Sequence, residues 1–287
     1  MYNDIHSRIL KEILRENPRD IAQPHLIVGE NGSGKTTLLK QLGQAIQNSS
    51  GAFKTLMLDG RKVFGNQDIS DALSSISDSH KKRIVLLLDD IDYYLERCDN
   101  TEQFALRAKV MQAGAPILIA SANSVKPQLT NYESAFFDAF RIHYLRPLTS
   151  EENLSLLPPD TDQERAGKLM AYLPRTIQSV QTCKSILEQS TSAQQDLDLL
   201  VQRFSESCKM RFDSYPHQAQ RILCALAPYE QGLPLQGLRE NTRQTSGQLS
   251  PYLKLMVDKN LLLKDVKGQR GATYRMSDPL LRQWLLH

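Results

Sequence analysis

A glycine-rich stretch at residues 29–37 contains the residue types in this sequence best suited to chemistry. Gly29, Gly34, Lys35 and Thr36 have the spacing G-x-x-x-x-G-K-T of a loop that surrounds phosphate groups. Glycine is needed because the backbone must turn tightly with its N–H groups inward, and a Cβ at Gly32 or Gly34 would obstruct that turn. We predict that the following residues bind nucleotide phosphates: Gly29, Glu30, Asn31, Gly32, Ser33, Gly34, Lys35, Thr36 and Thr37.

A second group of candidate residues follows the apolar run at residues 84–88. The run ends in Asp89, Asp90 and, two residues later, Asp92, which is the Walker B pattern. Ligand sites of open α/β sheets lie at the carboxyl ends of the strands, so we predict that Asp89 and the Thr36 hydroxyl hold Mg²⁺. Asp90 is predicted to polarise the attacking water. A helix-capping role is the alternative for Asp92.

Two polar side chains farther along the chain are further candidates. Asn123 follows the apolar run 116–120, where its amide could reach the γ-phosphate or the attacking water, although such an asparagine is also an ordinary turn residue. We predict that Lys35, Asp90 and Asn123 form the catalytic set. Arg175 is at a predicted helix start, which is unfavourable for a cation without an anionic partner. A phosphate is one such partner, and a surface salt bridge is the other.

The elements that position these residues alternate between strands and helices. Apolar runs predict strands at 26–28, 55–59, 84–92 and 116–120, with a fifth leading to residue 145, and helices at 2–16, 36–47 and 69–77. The loop at 29–36 therefore lies between a strand and a helix, as phosphate binding requires. Alternation of this kind predicts an α/β fold with a P-loop parallel sheet and helices on both faces.

The remaining sequence predicts a helical lid and a winged helix. A capping box at 149–152 begins helical sequence that continues to about Ser190, followed by a Ser- and Gln-rich loop or linker at 190–195. Helices at 216–226, 234–241 and 246–260, strands at 261–266 and 272–276, and a final helix after Pro279 have the order of a winged helix. We predict domains at 1–148 (nucleotide-binding), 149–195 (lid) and 196–287 (winged helix).

The positive charge of the chain is concentrated at the carboxyl terminus. Residues 201–287 hold 13 Lys and Arg against 7 Asp and Glu, whereas residues 1–200 hold 22 against 25. This asymmetry favours a nucleic-acid partner, and a solvated basic face explains it about equally well. Lys254 and Lys259 on the third helix, with Lys267 and Arg270 on the wing, are the candidate DNA contacts. Winged helices also bind proteins, so a protein partner remains the alternative.

The composition is that of a soluble globular protein. Of the 287 residues, 40% are hydrophobic and 23% are charged, which argues against disorder. The apolar run at 84–88 is too short to span a membrane, and the amino terminus lacks a signal-peptide pattern, so we expect a cytoplasmic protein. The four cysteines are scattered and lack metal-ligand spacing, which predicts reduced thiols with no metal role.

Together these motifs resemble the AAA+ and STAND class of P-loop ATPases, especially archaeal-type and origin-recognition ATPases that end in a winged helix. The resemblance covers nearly the whole chain and is most specific at residues 29–36 and 88–92. It implies a sensor 1 role for Asn123 and a sensor 2 role for Arg175 in Leu173-Pro174-Arg175. Residues 277–285 are similar to the Asp-Pro-containing final helix of that group.

Three features depart from the class. Ala139-Phe140 stands where many AAA+ proteins have Arg-Phe, so the arginine supplied to a neighbouring subunit of a homo-oligomer is missing, and Arg141 is a nearby substitute. Asp90 replaces the glutamate of fast AAA+ motors, which suggests slow turnover like that of STAND switches. The Gly-Arg-Glu box before the P-loop is absent, which leaves the adenine contacts unassigned.

Motifs and resemblance together lead to one main hypothesis. The chain is expected to bind ATP or ADP with Mg²⁺, to hydrolyse ATP slowly, and to couple nucleotide state to double-stranded DNA or to a partner loaded on DNA. The alternative is a STAND-like signalling or scaffold ATPase whose winged helix binds protein. A kinase-type phosphotransferase is disfavoured because no lid arginine cluster for a phosphate acceptor is evident.

Overall fold

The computed structural model describes residues 2–17, 19–49, 51–76, 82–266 and 272–287. These residues form two compact units. The first is Met1–Thr149 with Thr176–Gln178, and the second is Ser150–Arg175 with Ser179–His287. The division into three domains stays a prediction.

The first unit contains a five-stranded sheet that confirms the predicted α/β architecture. Its strands are β1 (His25–Val28), β2 (Phe53–Asp59), β3 (Arg83–Asp89), β4 (Ile117–Ala122) and β5 (Arg141–Tyr144). The spatial order is β2-β3-β4-β1-β5, and every neighbouring pair is parallel. All residues of β1 and β4 are buried, as expected for strands covered on both faces.

Helices cover both faces of this sheet. They are α1 (Tyr2–Arg15), α2 (Lys35–Ser49), α3 (Asn66–Ile76), α4 (Ile91–Arg97), α5 (Asn100–Val110) and the short α6 (Pro127–Thr130). One core cluster joins the apolar sides of α1 and α2 to Ile27, Val85 and Ile119. The other joins α4 and α5 to Leu26 and Leu86. As predicted, α2 buries Leu38, Leu39, Leu42 and Ile46.

The segment after β3 differs from the sequence interpretation, which extended the apolar strand to residue 92. The strand ends at Asp89, and Ile91 already begins α4. The chain turns at Asp90, whose φ of 52° and ψ of 53° are incompatible with a strand. Because Ile91 is apolar and buried on the helical side of the turn, hydrophobicity alone could not locate the end of the strand.

The second unit is mainly helical. It contains α7 (Ser150–Ser155), α8 (Gln163–Met170), most of α9 (Ile177–Leu187), α10 (Ala193–Asp213), α11 (His217–Leu226), β6 (Leu233–Pro234), α12 (Leu235–Thr242), α13 (Ser246–Asp258), β7 (Leu262–Val266), β8 (Ala272–Met276) and α14 (Pro279–Leu286). The strands form an antiparallel sheet in the order β6-β8-β7. The loop predicted at 190–195 is shorter in the structure, because the Ser192 side chain caps α10 and the helix begins at Ala193. The domain boundary predicted between residues 195 and 196 therefore lies within α10.

The elements predicted for a winged helix are present in their predicted order. In α13, Leu249, Leu253 and Met256 are buried as expected, whereas Val257 is half-buried. Asp278 accepts a hydrogen bond from the N–H of Leu281, which confirms the predicted start of α14. The wing tip at 267–271, with Lys267 and Arg270, lies outside the described residues.

Helix lengths and cysteine environments can be described over the same ranges. Within the described ranges, no helix is both long and apolar enough to cross a bilayer, and no group of three or more His, Cys, Asp or Glu residues is arranged to hold a metal. All four cysteines are free thiols. Burial raises the pKa of Cys98 to about 12 and that of Cys183 to about 11, which makes these thiols unreactive.

A buried histidine pair joins β1 to β5. His25 Nδ1 lies 3.0 Å from His143 Nε2, and the two rings stack. Glu12 and Arg141 border the pair, with Glu12 Oε2 3.7 Å from His25 Nε2 and 2.6 Å from Arg141 Nη1. Burial, and then the charge of His143, lowers the pKa of His25 to about 4. Burial also lowers the pKa of His143.

This pair predicts an acid-sensitive first unit. The unfolded chain binds a proton at His25 near pH 6.5, whereas the folded chain does so only near pH 4, so the free energy of unfolding falls as pH drops through that window, by up to about 3 kcal/mol. Denaturant unfolding followed by circular dichroism should reveal this loss. The fluorescence of the single tryptophan, Trp284, reports the second unit separately.

His25→Gln should flatten the pH dependence, and the exposed His217→Gln on α11 is the matched control. Equal pH slopes for the wild type and His25→Gln would contradict the assignment.

The end of β2 packs directly against the turn after β3. A Cβ added to Gly60 would lie 2.4 Å from the carbonyl oxygen of Asp90 and 2.8 Å from that of Asp89. Both atoms are backbone, so neither can move as a flexible side chain would. Glycine at this position therefore allows β2 to approach the two acids.

Gly60→Ala should lower the free energy of unfolding of the first unit by roughly 1–3 kcal/mol, because the added methyl overpacks a buried backbone contact. Gly51→Ala is the control in the same unit, since an added Cβ there meets nothing within 4 Å. Both variants can be compared by denaturant unfolding followed by circular dichroism. Equal free energies of unfolding for the two variants would show that the backbone at Asp90 can shift away from the added methyl without loss of stability.

Candidate nucleotide-phosphate site

The loop between β1 and α2 has the tight curve that its glycines predict. Gly32 and Gly34 have φ values of 78° and 97°, which L-residues with a Cβ rarely adopt. The N–H of Gly29 donates to the carbonyl of Ala122 at 3.2 Å, and the N–H of Ser33 donates to that of Glu30 at 3.1 Å. The loop is thereby fixed to β4 and closed on itself, while Asn31, Thr36 and Thr37 are exposed.

A short segment distant in sequence packs on this loop. The N–H of Gln178 donates to the carbonyl of Gly32 at 3.2 Å, and a Cβ added to Gly32 would meet the Gln178 side chain at 2.6 Å. Sequence reasoning missed this contact, although the position of Gln178 three residues after Arg175 was a signal. Arg175 itself belongs to the second unit and is exposed, and its predicted role stays a prediction.

Lys35 is the first residue of α2, and only 6% of it is exposed. Its ammonium donates to the carbonyls of Gly29 at 2.8 Å and Glu30 at 3.0 Å, and to Asn123 Oδ1 at 2.9 Å. Burial lowers the pKa of Lys35, and the carboxylates of Asp90 and Asp89 oppose that shift. The ammonium thus lies inside the loop curve and is hydrogen-bonded to Asn123, and the predicted phosphate contact of Lys35 stays a prediction.

Both carboxylate oxygens of Asp89 accept hydrogen bonds from hydroxyl groups. Thr36 Oγ1 donates to Asp89 Oδ2 at 2.6 Å, and Ser121 Oγ donates to Asp89 Oδ1 at 2.5 Å. The fully buried Ser121 also accepts the N–H of Asp90 at 2.9 Å. Sequence reasoning overlooked Ser121, although a small polar residue at the end of a buried apolar strand was a signal. The oxygen atoms of Thr36 and Asp89 are suitable ligands for Mg²⁺.

Asp90 occupies a strained backbone position beside this group. Its φ of 52° is unusual for a residue with a Cβ and costs on the order of 1 kcal/mol, a strain often found at functional sites. Burial, and then the charge of Asp89, raises the pKa of Asp90. Arg61 Nε lies 3.8 Å from Asp90 Oδ2, while the Arg61 guanidinium donates to both carboxylate oxygens of Asp59. Arg61 was not predicted from the sequence.

Asp92 positions Asn123 and does not cap a helix. Its Oδ2 accepts the N–H of Asn123 at 2.6 Å, and the residue is buried within α4. The helix cap is Asp90, whose side chain makes no capping hydrogen bond. The capping interpretation of Asp92 was therefore wrong, because the chain had already entered the helix. The structure thus brings together Lys35, Thr36, Asp89, Asp90 and Asn123, all predicted from the sequence.

The predicted DNA-contacting lysines and Arg141 do not belong to the group of side chains around the loop. Lys254 on α13 and Lys259 directly after it are exposed, in agreement with a surface role. Arg141 begins β5, and its guanidinium pairs with Glu12 at 2.6 Å. Its strand partner is His25, at the opposite end of β1 from the loop. Arg141 therefore has a partner within its own unit.

Comparison with known proteins agrees with this geometry. Residues 3–142, just under half of the chain, match the family model of the bacterial DnaA ATPase domain. The matched region contains the loop and the residues gathered around it.

Solved structures share the fold across most of the chain. The Aeropyrum pernix ORC1 protein, solved in complex with DNA, has a TM-score of 0.53 and 13% identity, with 98% of this chain and 90% of that chain covered. The ADP form of Aeropyrum pernix ORC2 has a TM-score of 0.52 and 13% identity, with 96% and 88% covered. The Thermotoga maritima RuvB branch migration motor has a TM-score of 0.50 and 16% identity, with 95% and 90% covered.

These identities are low enough that the structures establish the fold alone, while the family model adds the ATPase domain. Residues 3–142 are thus similar to the ATPase domain of bacterial DnaA, and the chain shares its fold with the ORC1 and ORC2 proteins.

Proposed function

We propose that this ATPase is a slow molecular switch that couples its nucleotide state to DNA. The observation that supports the proposal most directly is the hydrogen bond between the Lys35 ammonium and Asn123 Oδ1, at 2.9 Å. Through it, the loop that would bind the phosphates contacts a side chain at the end of β4. A phosphate at Lys35 would therefore change the surroundings of Asn123 directly.

Phosphate binding would use atoms that already surround the loop curve. In the structure, all three Lys35 protons have acceptors: two loop carbonyls and Asn123. A γ-phosphate would replace one of these acceptors and form a stronger charge-assisted bond. The N–H groups at the start of α2 would bind the remaining phosphate oxygens, supported by the positive end of the helix dipole.

Thr36 and Asp89 are proposed to hold Mg²⁺. When bound, the ion supplies positive charge at the β and γ phosphate oxygens. Ser121 is proposed to fix the orientation of the Asp89 carboxylate, because its hydroxyl donates to the oxygen that Thr36 leaves free.

Slow hydrolysis is proposed from the side-chain length and the charged neighbours of Asp90, the candidate for polarising the attacking water. Its side chain is one methylene shorter than the glutamate of fast AAA+ motors, and Arg61 lies 3.8 Å from its Oδ2. The charge of Arg61 opposes, but does not cancel, the increase in the pKa of Asp90 that burial and Asp89 cause. The shorter reach of Asp90 toward the attacking water is therefore the proposed cause of slow turnover.

Two substitutions test the proposed nucleotide roles. Lys35→Ala should weaken binding of a fluorescent ATP analogue tenfold or more, since a charge-assisted phosphate contact contributes roughly 1.5–3 kcal/mol. Asp90→Asn should lower the rate of phosphate release at least tenfold while nucleotide affinity stays within threefold. Lys40→Ala, at an exposed position on the same helix α2, is the control. Unchanged affinity in Lys35→Ala would remove the basis of the site.

Arg175 is proposed to carry the nucleotide signal to the second unit. It immediately precedes Thr176–Gln178, which belongs to the first unit, and Gln178 is hydrogen-bonded to the phosphate loop. Charge attraction between Arg175 and a bound phosphate would strengthen with each added phosphate charge. ATP and ADP would then hold this segment with different strength.

DNA is proposed as the partner of the second unit. The similar ORC1 protein was solved in complex with DNA, and residues 201–287 of this chain hold 13 Lys and Arg against 7 Asp and Glu. Lys254 on α13 and Lys259 directly after it are exposed, and α13 is the helix expected to enter a major groove. Phosphate contacts by such lysines release counterions and make binding salt-dependent.

The Lys254→Gln/Lys259→Gln double variant should weaken binding of duplex DNA and reduce the slope of log affinity against log salt by about 1–2. Fluorescence anisotropy across a salt series measures both quantities. Lys209→Gln, at an exposed position on α10, is the control. A flat salt response of the wild type would favour the protein partner.

The alternative, a STAND-like signalling ATPase, is favoured by one feature of the same helix. An apolar hollow of about 510 Å³ is lined by Tyr215, Tyr252, Leu255 and Met256, and Leu255 is 45% exposed. An apolar surface of this kind suits a protein side chain better than a phosphate group. In this alternative, nucleotide binding would control access of a partner protein to α13.

A further inference from the structure

A polar cavity within the second unit has no role in the proposed nucleotide chemistry. It has a volume of about 520 Å³, and four cationic side chains line it: Arg165 and Lys168 from α8, Arg275 from β8, and Arg282 from α14. Two carboxylates, Asp196 and Glu230, also line it. The cavity wall therefore carries more positive than negative groups.

The more buried of the two carboxylates is already neutralised. Asp196 accepts two hydrogen bonds from the Arg165 guanidinium, at 2.9 and 2.6 Å, and one from the Ser190 hydroxyl. Its charge is therefore satisfied by Arg165 and is not available to the other cations. Glu230 is exposed to water, where its charge is screened.

Two of the remaining cations have partners that they can release easily. Lys168 pairs with Glu164 on the exposed side of α8, and Arg275 pairs with Asp265 on the neighbouring strand. All four of these side chains are substantially exposed, from 45% to 79%. Ion pairs so exposed are weak, so an anion in the cavity competes with them at little cost.

The fourth cation, Arg282, has a side-chain nitrogen without an acceptor among the residues that the structure describes. Its Nε atom is buried and makes no hydrogen bond to any described residue. Buried polar atoms are nearly always paired, and a buried guanidinium N–H that lacks an acceptor is costly. A phosphate oxygen is an acceptor that matches guanidinium geometry.

Apart from Ser277, the rest of the wall consists mainly of apolar side chains. Leu169 and Met276 are buried, and Tyr172 adds a half-buried ring. The cavity volume falls in the range of sites for small molecules, about 300–1,000 Å³. The cavity thus combines cations for a phosphate group with apolar surface for a carbon skeleton.

We propose that this cavity binds a small phosphate-bearing molecule of about mononucleotide size. Its phosphate would contact Arg282, Arg275 and Lys168, and its carbon skeleton would pack against Leu169 and Tyr172. The bound molecule would connect α8 of the predicted lid to β8 and α14 of the predicted winged helix. This site is independent of the loop at residues 29–37 and does not rest on the proposed function.

The test titrates the full chain, saturated with ADP and Mg²⁺, with inorganic phosphate, ribose 5-phosphate, AMP and unphosphorylated ribose. Calorimetry gives affinity and stoichiometry, and the fluorescence of Trp284, two residues after Arg282 on α14, reports locally. At least one phosphorylated probe should bind one-to-one, and ribose should not bind. Tighter binding of ribose 5-phosphate or AMP than of phosphate identifies a phosphorylated metabolite, and equal binding identifies a phosphate-ion site.

Arg282→Gln should weaken binding of that probe at least tenfold, whereas Arg239→Gln, at an exposed position on α12 outside the cavity, should leave it within twofold. Lys168→Gln alters an exposed side chain and should weaken binding severalfold without affecting folding. Absence of binding by every phosphorylated probe would overturn the proposal. Wild-type affinity for the probe in both Arg282→Gln and Lys168→Gln would also overturn the proposal. The same holds if Lys35→Ala loses binding of the probe while Arg282→Gln and Lys168→Gln keep it.

Discussion

The candidate site depends on one carboxylate that joins three elements. Asp89, at the end of β3, accepts hydrogen bonds from Thr36 at the start of α2 and from Ser121 near the end of β4. Only 4% of the residue is exposed, so water cannot replace either donor. Because the strands are parallel and adjacent, their carboxyl ends meet beside the loop, and Asp89 fixes the position of both neighbours. Loss of this carboxylate would leave two hydroxyl groups without their acceptor.

The electrostatics around Asp89 explain the geometry of its neighbours. Three acids, Asp89, Asp90 and Asp92, raise the local negative charge and favour the ammonium of Lys35 against the effect of burial. Asp92 binds the backbone of Asn123. Asp90 is held in a left-handed conformation, and its raised pKa reflects burial and like charge. Strain and charge are thus concentrated at the residue proposed to act on water.

Much of the fold followed from hydrophobic periodicity. The five strands, helix α2 and the carboxyl-terminal elements lie close to their predicted positions, because each buries apolar residues at its own period. The sequence analysis left α4 and α5 unassigned and placed the end of the Walker B strand too late. The late strand end and the missed α4 arise at Asp90, where the backbone turns while the burial of Ile91 continues. The pattern of apolar residues indicates which residues are buried, but it does not indicate their backbone angles φ and ψ.

The sequence by itself determined the phosphate loop and the acids of the site, because Gly34-Lys35-Thr36 and Asp89-Asp90 are contiguous and their spacing encodes local geometry. Only the tertiary structure decided what orients them. Ser121, the Asp59–Arg61 pair and the Gln178 contact come from separate strands and helices, and no spacing along the chain relates them to the loop. Likewise, only the packed structure shows that Arg282 Nε is buried without an acceptor among the described residues. Hydrogen-bond satisfaction is a property of the packed chain, which is why a sequence pattern cannot report it.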